Sequence, residues 1–367
     1  MYMLKNCFKV NIFIVVLSFT LLYHSVSVNA HPASYDPRDK KMVSAVENQQ
    51  QNPTCSYYSL ISTIESSLIR ANLATSSINL NEQDFINRTQ SPKYIHIDKH
   101  DLVEQNILPK DITGKIPNAQ IYAIDSAVDM DNPDRMKEII MSCGAIDTVF
   151  SIADSCFDIV QIGDKYDMSY YNPGAADIQH AISIVGWDDH FSKANFYKNP
   201  PGDGAWLCKN SWGNIYGTTG YIWISYYEPS LDGYGWAIQF QKKGKNKVSY
   251  VINGNEAIVI AQSSGDIVIP DKISFAGKKF KVKDICDGVF ANDKKLKSVV
   301  INNYIDTIYS GTFKGCKNLK KVKFGKRMLE IESGAFQGCK KLKKISGLNR
   351  KCDVDDKKLL AAMRPAK

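Results

Sequence analysis

Three segments near the C-terminal end align without gaps: ICDGVFANDKKLKSV, IYSGTFKGCKNLKKV and IESGAFQGCKKLKKI. Their phenylalanines are Phe290, Phe313 and Phe336, so the period is 23 residues. A unit this short cannot enclose its own Phe, Leu and β-branched side chains. It buries them only against the next copy, so the units must stack into a short β-solenoid. Upstream, the stretch from Val248 to Val282 alternates apolar and polar residues between turn signals, and reads as strands leading into the stack.

These units resemble BspA-type leucine-rich repeats of surface and secreted proteins, with the resemblance running over residues 248–348. Cys316 and Cys339 fall at the same small position of successive repeats. They read as packing residues rather than metal or redox groups.

Charge separates this part from the rest. From residue 242 onward there are 29 Lys and Arg against 12 Asp and Glu, a net of +17. The remainder carries 17 against 26, a net of −9, so the overall +8 hides an acidic front and a basic back. The change falls at QKKGKNK, residues 241–247, and sets the expected domain boundary. The lysines of the repeats form a solvated face or, in the sharper reading, a site for an anionic surface or polymer.

At the other end, Lys5 and Lys9 precede an apolar run from Ile12 to Leu22 and the small-residue stretch SVSVNA. A membrane span needs roughly twenty apolar residues. Residues 1–30 therefore read as a cleaved signal peptide, and the mature chain as secreted, with an attachment to the cell surface left open. No transmembrane anchor is expected after it. No phosphate loop, nucleic-acid motif or metal-ligand spacing stands out, so no cofactor, metal or nucleic-acid partner is expected.

The remaining question is the front segment. Cys55 stands where the turn-forming run VENQQQNPT gives way to Ile61, Ile64 and Leu68 at helical spacing. A thiol at a helix start meets free N–H groups that favour thiolate. Taken alone, that leaves Cys55 open as core residue, disulfide partner or nucleophile. His180 follows 125 residues later at the front of an apolar, β-branched run, and Asn210 follows 155 residues later in GAWLCKNSWG. Asn210 can fix an imidazole tautomer, and Trp212 can cover the bond between them.

A cysteine near the mature N-terminus with His and Asn this far downstream, in that order, is a papain-like arrangement. YDPRD, VENQ, NLNEQ, HAISIVGWDD and KNSWG…GYIWISYYE all resemble papain-family peptidases, over residues 35 to about 240. The resemblance implies an α+β, two-lobed papain-like domain over residues 31–241, then the repeats at 248–348 and a tail at 349–367. It implies Cys55 as nucleophile, held as thiolate beside a protonated His180. Asn210 would orient the ring, and Gln49 would be an oxyanion donor. Ile178, Ala181 and Trp212 would line the substrate site, and the substrate would be a protein or peptide.

The chain departs from the family at three places: Ser56 follows the nucleophile where Trp is usual, Pro53 replaces a turn glycine, and Asn52 replaces a cysteine. Those departures support an alternative, a surface binding protein whose peptidase-like domain is inactive.

Overall fold

The computed structural model describes residues 31–89, 116 and 118–360, apart from positions 175, 177, 232, 234, 245–246, 263–264, 349–350 and 358. The signal-peptide reading for residues 1–30 lies outside them. No helix among the described residues is long and apolar enough to cross a membrane.

The order begins with β1 (Ser34–Tyr35), α1 (Cys55–Arg70), α2 (Glu82–Thr89), β2 (Ala119–Asp125) and α3 (Pro133–Cys143). Seven strands follow: β3 (Ile146–Ile152), β4 (Phe157–Ile162), β5 (Lys165–Tyr170), β6 (Ile178–Asp188), β7 (Ala205–Lys209), β8 (Tyr221–Ser225) and β9 (Gly235–Lys242). The next group is β10 (Val248–Asn253), β11 (Glu256–Gln262), β12 (Asp266–Val268), β13 (Lys272–Phe275) and β14 (Lys278–Ile285). The repeats then supply β15 (Ser298–Val300), β16 (Thr307–Ile308), β17 (Lys321–Lys323), β18 (Glu330–Ile331), β19 (Lys344–Ser346) and β20 (Asp353–Val354).

Helix α1 is buried along most of its length, from Tyr57 to Ile69 except Tyr58. Its apolar side, Leu60, Ile61, Ile64 and Leu68, packs with Ile121, Ile124, Ile238 and Phe240 of β2 and β9. Its hydroxyls also face inward, and most find partners in the sheet. Thr63 Oγ1 bonds Ser183 Oγ at 2.6 Å, and Ser67 Oγ donates to the Ile238 carbonyl at 2.7 Å. Helix α3 is delimited by local chemistry: Asn132 accepts from the Arg135 N–H, and Pro133 opens the first turn. Gly144 ends it at φ 96°, where a Cβ would lie 2.5 Å from the Ser66 carbonyl oxygen, so only glycine lets α3 end against α1.

A single 13-stranded sheet runs β13-β14-β11-β10-β2-β9-β3-β6-β7-β8-β5-β4, with β1 added along β6. The charge boundary at 241–247 falls in the turn between β9 and β10, yet the sheet does not stop there. β10 pairs in parallel with β2 through Tyr250↔Ala123, Val251↔Ile124 and Ile252↔Asp125. Ser249 Oγ donates to the Ile121 carbonyl at 2.7 Å, and Tyr122 packs edge-on against Tyr250. Arg135 Nη1 on α3 reaches the Ala276 carbonyl at 2.6 Å, in the turn between β13 and β14. The described residues from Pro32 onward accordingly belong to one compact unit.

Beyond β14 each repeat adds one rung to two small parallel sheets, β12-β15-β17-β19 and β16-β18-β20. The inside is a column of rings: Phe290, Phe313 and Phe336 stack with centroids 5.0 Å apart at each step. Each buried ring contributes about 1.5–3 kcal/mol. Cys316 Sγ donates to the Phe290 carbonyl at 2.8 Å and Cys339 Sγ to that of Phe313 at 3.1 Å. The recurring cysteine thus joins each rung to the one before it.

The shared sheet has a measurable consequence. A chain ending at Gly244 would leave β2 without β10 and α3 without the Arg135 bond to the Ala276 carbonyl. Its thermal unfolding, followed by circular dichroism, should be less cooperative than that of the full mature chain, with a midpoint at least about 10 °C lower, since roughly 1 kcal/mol shifts the midpoint by 2–4 °C in a domain of this size. An unchanged midpoint would show that the front segment is stable by itself.

Candidate active site

The site is built at the meeting of one helix start and two strands. Residues 47–49 run alongside residues 211–213: the Gln49 N–H donates to the Ser211 carbonyl at 2.7 Å, Asn48 bridges to Trp212, and the Gly213 N–H donates to the Glu47 carbonyl at 3.0 Å. This short ladder brings the turn before Cys55 beside the segment after β7. Antiparallel pairing of β6 with β7 then sets His180 and Asn210 near each other, since Ser183 faces Lys209.

Cys55 is the first residue of α1, and its thiol is half-buried. Burial pushes the thiol's pKa up; backbone N–H groups of Ala181, Ser56 and Cys55 itself oppose that by pointing at the sulfur. The Ala181 contact is informative, because Ala181 directly follows His180 on β6. It holds the sulfur against the strand that carries the imidazole.

His180 is buried, with its Nε2 2.7 Å from Asn210 Oδ1. An amide oxygen can only accept, so Nε2 carries the hydrogen and Nδ1 is left with a free lone pair. Asn210 Oδ1 also accepts from the Ser211 N–H at 2.8 Å, which fixes the amide's orientation. Its Nδ2 is buried with no partner among the described residues. Trp212 stacks on the His180 ring at 4.7 Å, and Phe150 meets the same ring edge-on at 6.0 Å. Burial lowers the His180 pKa to about 4, against the smaller opposing effect of Asn210.

Burial therefore opposes charge on both Cys55 and His180 when each is taken alone.

Gln49 is buried and doubly tethered. Its Nε2 donates to the Asn52 carbonyl at 2.7 Å, and its Oε1 accepts from Ser211 Oγ. One amide hydrogen is thereby used, and the second remains to be given. Of the three substrate-site candidates, Ala181 touches the Cys55 sulfur and Trp212 covers His180. Ile178 opens β6 at 61% exposure, on the same face of the strand as His180.

Several contributors are not evident from sequence patterns. Ser211 fixes both Gln49 and Asn210, and its signal is only its place inside KNSWG. Behind the site, Lys209 is buried with Nζ 2.8 Å from Ser44 Oγ and 3.9 Å from Glu65 Oε2. Ser44 Oγ donates to Glu65 Oε2, and the Leu80 N–H donates to Glu65 Oε1 at 2.7 Å. This network locks the residue before Asn210 onto α1. A polar pocket lined by Glu47, Glu65, Glu82, Lys209, Asn210 and Ser211 adjoins it. There burial first, and the neighbouring Glu65 and Glu47 charges after it, raise Glu82 to about 7.

Asp147 on β3 is a further buried polar group behind the site. It accepts from Ser59 Oγ, one turn along α1 from Cys55, and from the Trp236 side chain. Burial raises its pKa to about 7. Among the described residues no cluster of His, Cys, Asp or Glu is arranged to hold a metal ion.

A folded-state pKa of about 7 against roughly 4 for an unfolded aspartate means that the native state holds the extra proton. The protonated form's contribution to stability is full below about pH 4 and is lost as pH rises through about 7. The Asp147→Asn variant cannot ionise, so its urea midpoint should gain on that of the wild type between pH 5 and pH 7.5. A constant difference across that range would show that Asp147 does not titrate there.

The chain was compared with known proteins. Residues 110–232 match the model of the papain family of cysteine proteases, and residues 274–356 match that of the BspA type leucine rich repeat region in six copies. The first match contains His180 and Asn210; Cys55 and Gln49 lie upstream of it. A relative, Peptidase 1 of Dermatophagoides farinae, is 24% identical over 209 residues, which cover 53% of this chain and 61% of that protein. The chain thus spans about three fifths of that relative's length.

Among solved structures, the cysteine protease and lectin-like domains of Cwp84, a surface layer associated protein of Clostridium difficile, align at 24% identity. They cover 59% of this chain and 54% of that one, with a TM-score of 0.47. A leucine rich cell surface protein from Faecalibacterium prausnitzii aligns at 27% identity over 30% of each chain, with a TM-score of 0.26.

Proposed function

Because the chain joins a papain-family cysteine protease segment to BspA-type leucine-rich repeats, we propose that it is a secreted endopeptidase. It cleaves peptide bonds through Cys55, His180 and Asn210, and its basic repeat solenoid places it on a surface or on its substrate. The observation that carries this reading is the His180–Asn210 bond, under Trp212, on the strand whose Ala181 N–H meets the Cys55 sulfur.

The steps follow from the tautomer. With Nε2–H committed to Asn210, Nδ1 takes the proton of Cys55 as the sulfur attacks the substrate carbonyl carbon. The C=O π electrons move to oxygen. Its negative charge is met by the Cys55 N–H at the open start of α1 and by the second Nε2 hydrogen of Gln49. The tetrahedral species collapses as His180 returns the proton to the leaving amine, and a thioester to Cys55 remains. His180 then removes a proton from water, and the resulting attack releases the carboxylic acid and the thiol. Trp212 keeps water from the His180–Asn210 bond, so the imidazole holds one orientation through both halves.

The alternative, a binding protein with an inactive front domain, has Pro53 and Ser56 in its favour. Labelling separates the two readings. An epoxysuccinyl inhibitor should alkylate Cys55 near neutral pH far faster than it alkylates free cysteine, and the Cys55→Ala and His180→Ala variants should not hydrolyse unfolded protein. Labelling at the rate of a free thiol would overturn the peptidase reading.

The oxyanion role of Gln49 is tested separately. Gln49→Ala should lower kcat by roughly 10²-fold with KM little changed, because the donor acts mainly on the transition state. An unchanged kcat would remove Gln49 from the mechanism.

A further inference from the structure

The two faces of the repeat stack carry opposite charges. On one side lie β12, β15, β17 and β19, and immediately before the last three strands come Lys297, Lys320 and Lys343, all exposed. These three are directly stacked: the Lys320 N–H donates to the Lys297 carbonyl at 2.8 Å, and the Lys343 N–H to that of Lys320 at 3.1 Å. Within the strands Lys321 lies in register with Lys344. A third row, Lys294, Lys317 and Lys340, leads into the same face and is exposed throughout. Among the described residues, no carboxylate pairs with any of these lysines.

Most of the acidic residues of the coils are on or beside the other sheet, the exceptions being Asp266 on β12 and Asp293 beside Lys294. Glu330 is in register with Asp353, and Asp306, Glu332 and Asp355 flank them. Simple solvation of a stack would be served by mixed charges, and like charges set opposite one another in adjacent strands are destabilising. Each sheet accepts that cost at one adjacent pair, Lys321 with Lys344 and Glu330 with Asp353; Asp266 on β12 is the carboxylate of the lysine sheet and is held by Ser298 Oγ. The lysine rows follow the stack axis at the strand spacing of about 4.8 Å, so they present a narrow track of positive charge. Among the described residues no exposed aromatic side chain accompanies them, as an interfacial membrane site would need, and Val268 on β12 is the exposed large apolar side chain of this sheet.

We propose that this face binds a linear polyanion laid along the stack, across the strands, with its successive charges met by successive lysine rows. This rests on the reading of the repeats as the part that localises the protein, and it names the partner's chemistry. The opposite, acidic sheet repels the same polymer and restricts it to one side.

The test uses the full mature chain and long-chain inorganic polyphosphate immobilised on a sensor surface. Binding should weaken about 20-fold between 50 and 150 mM salt, as expected when about four charges are neutralised. Reversing two lysines of the central row, Lys320→Glu with Lys343→Glu, should weaken binding at least tenfold at 100 mM salt. Reversing Lys272 and Lys279 instead changes net charge equally but lies on β13 and β14, off the track; it should change binding less than about threefold. Circular dichroism of each variant confirms that it is folded.

Equal loss from both pairs would overturn the proposal in favour of net charge alone. Absence of polyphosphate binding at 50 mM salt would also overturn it. So would tight binding to phosphatidylglycerol vesicles that polyphosphate does not compete away, which would assign the face to a membrane. Cleavage of a small peptide by the same preparations reports on the peptidase reading independently, so the two can fail separately.

Discussion

The arrangement depends on a helix that has almost no free side. α1 begins at Cys55 and is then enclosed by β2, β3, β6 and β9, so its polar residues are buried as fully as its leucines and isoleucines. A buried hydroxyl or carboxyl without a partner costs about 1–3 kcal/mol. Four of these groups are committed to a particular place: Ser59 to Asp147, Thr63 to Ser183, Glu65 to Ser44 and the Leu80 N–H, Ser67 to Ile238, whereas the Ser62 and Ser66 hydroxyls have no partner among the described residues. These directional bonds fix the helix in rotation and along its axis, which apolar packing alone does less sharply. The position of the thiol follows, since Cys55 cannot shift without breaking bonds one, two and three turns below it.

The site's electrostatics follow from the same enclosure. Burial makes a charge costly on Cys55 and on His180 alike. The bond to Asn210 and the stacking of Trp212 restrict the imidazole to one orientation. Pro53 lies in the turn before α1 and Ser56 is its second residue. They leave the His180–Asn210 pair and the Gln49–Ser211 contact in place.

What could be read from sequence was whatever repeats or follows strict spacing. The 23-residue period announced stacked phenylalanines, and the rings of Phe290, Phe313 and Phe336 do stack. Cys55 opens a helix because Ile61, Ile64 and Leu68 already marked its inner face. Ser211, Lys209 and Asp147 were not legible as site-building residues, because each acts on a partner more than 80 positions away and none belongs to a periodic pattern. The sheet's passage across residues 241–247 was equally hidden. Charge changes sign there, but strand pairing is decided by backbone and apolar surface, and the turn after β9 simply hands the chain to the far edge of β2.

That handover has a bearing on how the protein is made. β2 is held on one side by β9 and on the other by β10, whose Tyr250 comes 127 positions after its partner Ala123. A ribosome delivers the chain in order, so His180 and Asn210 emerge before the strand that completes the sheet supporting them. Parallel pairing over so long a separation is slow to form, because loop closure must come before any contact repays it. The front segment thus emerges with an open sheet edge along β2, and the sheet behind His180 and Asn210 is completed only when β10 of the basic half arrives.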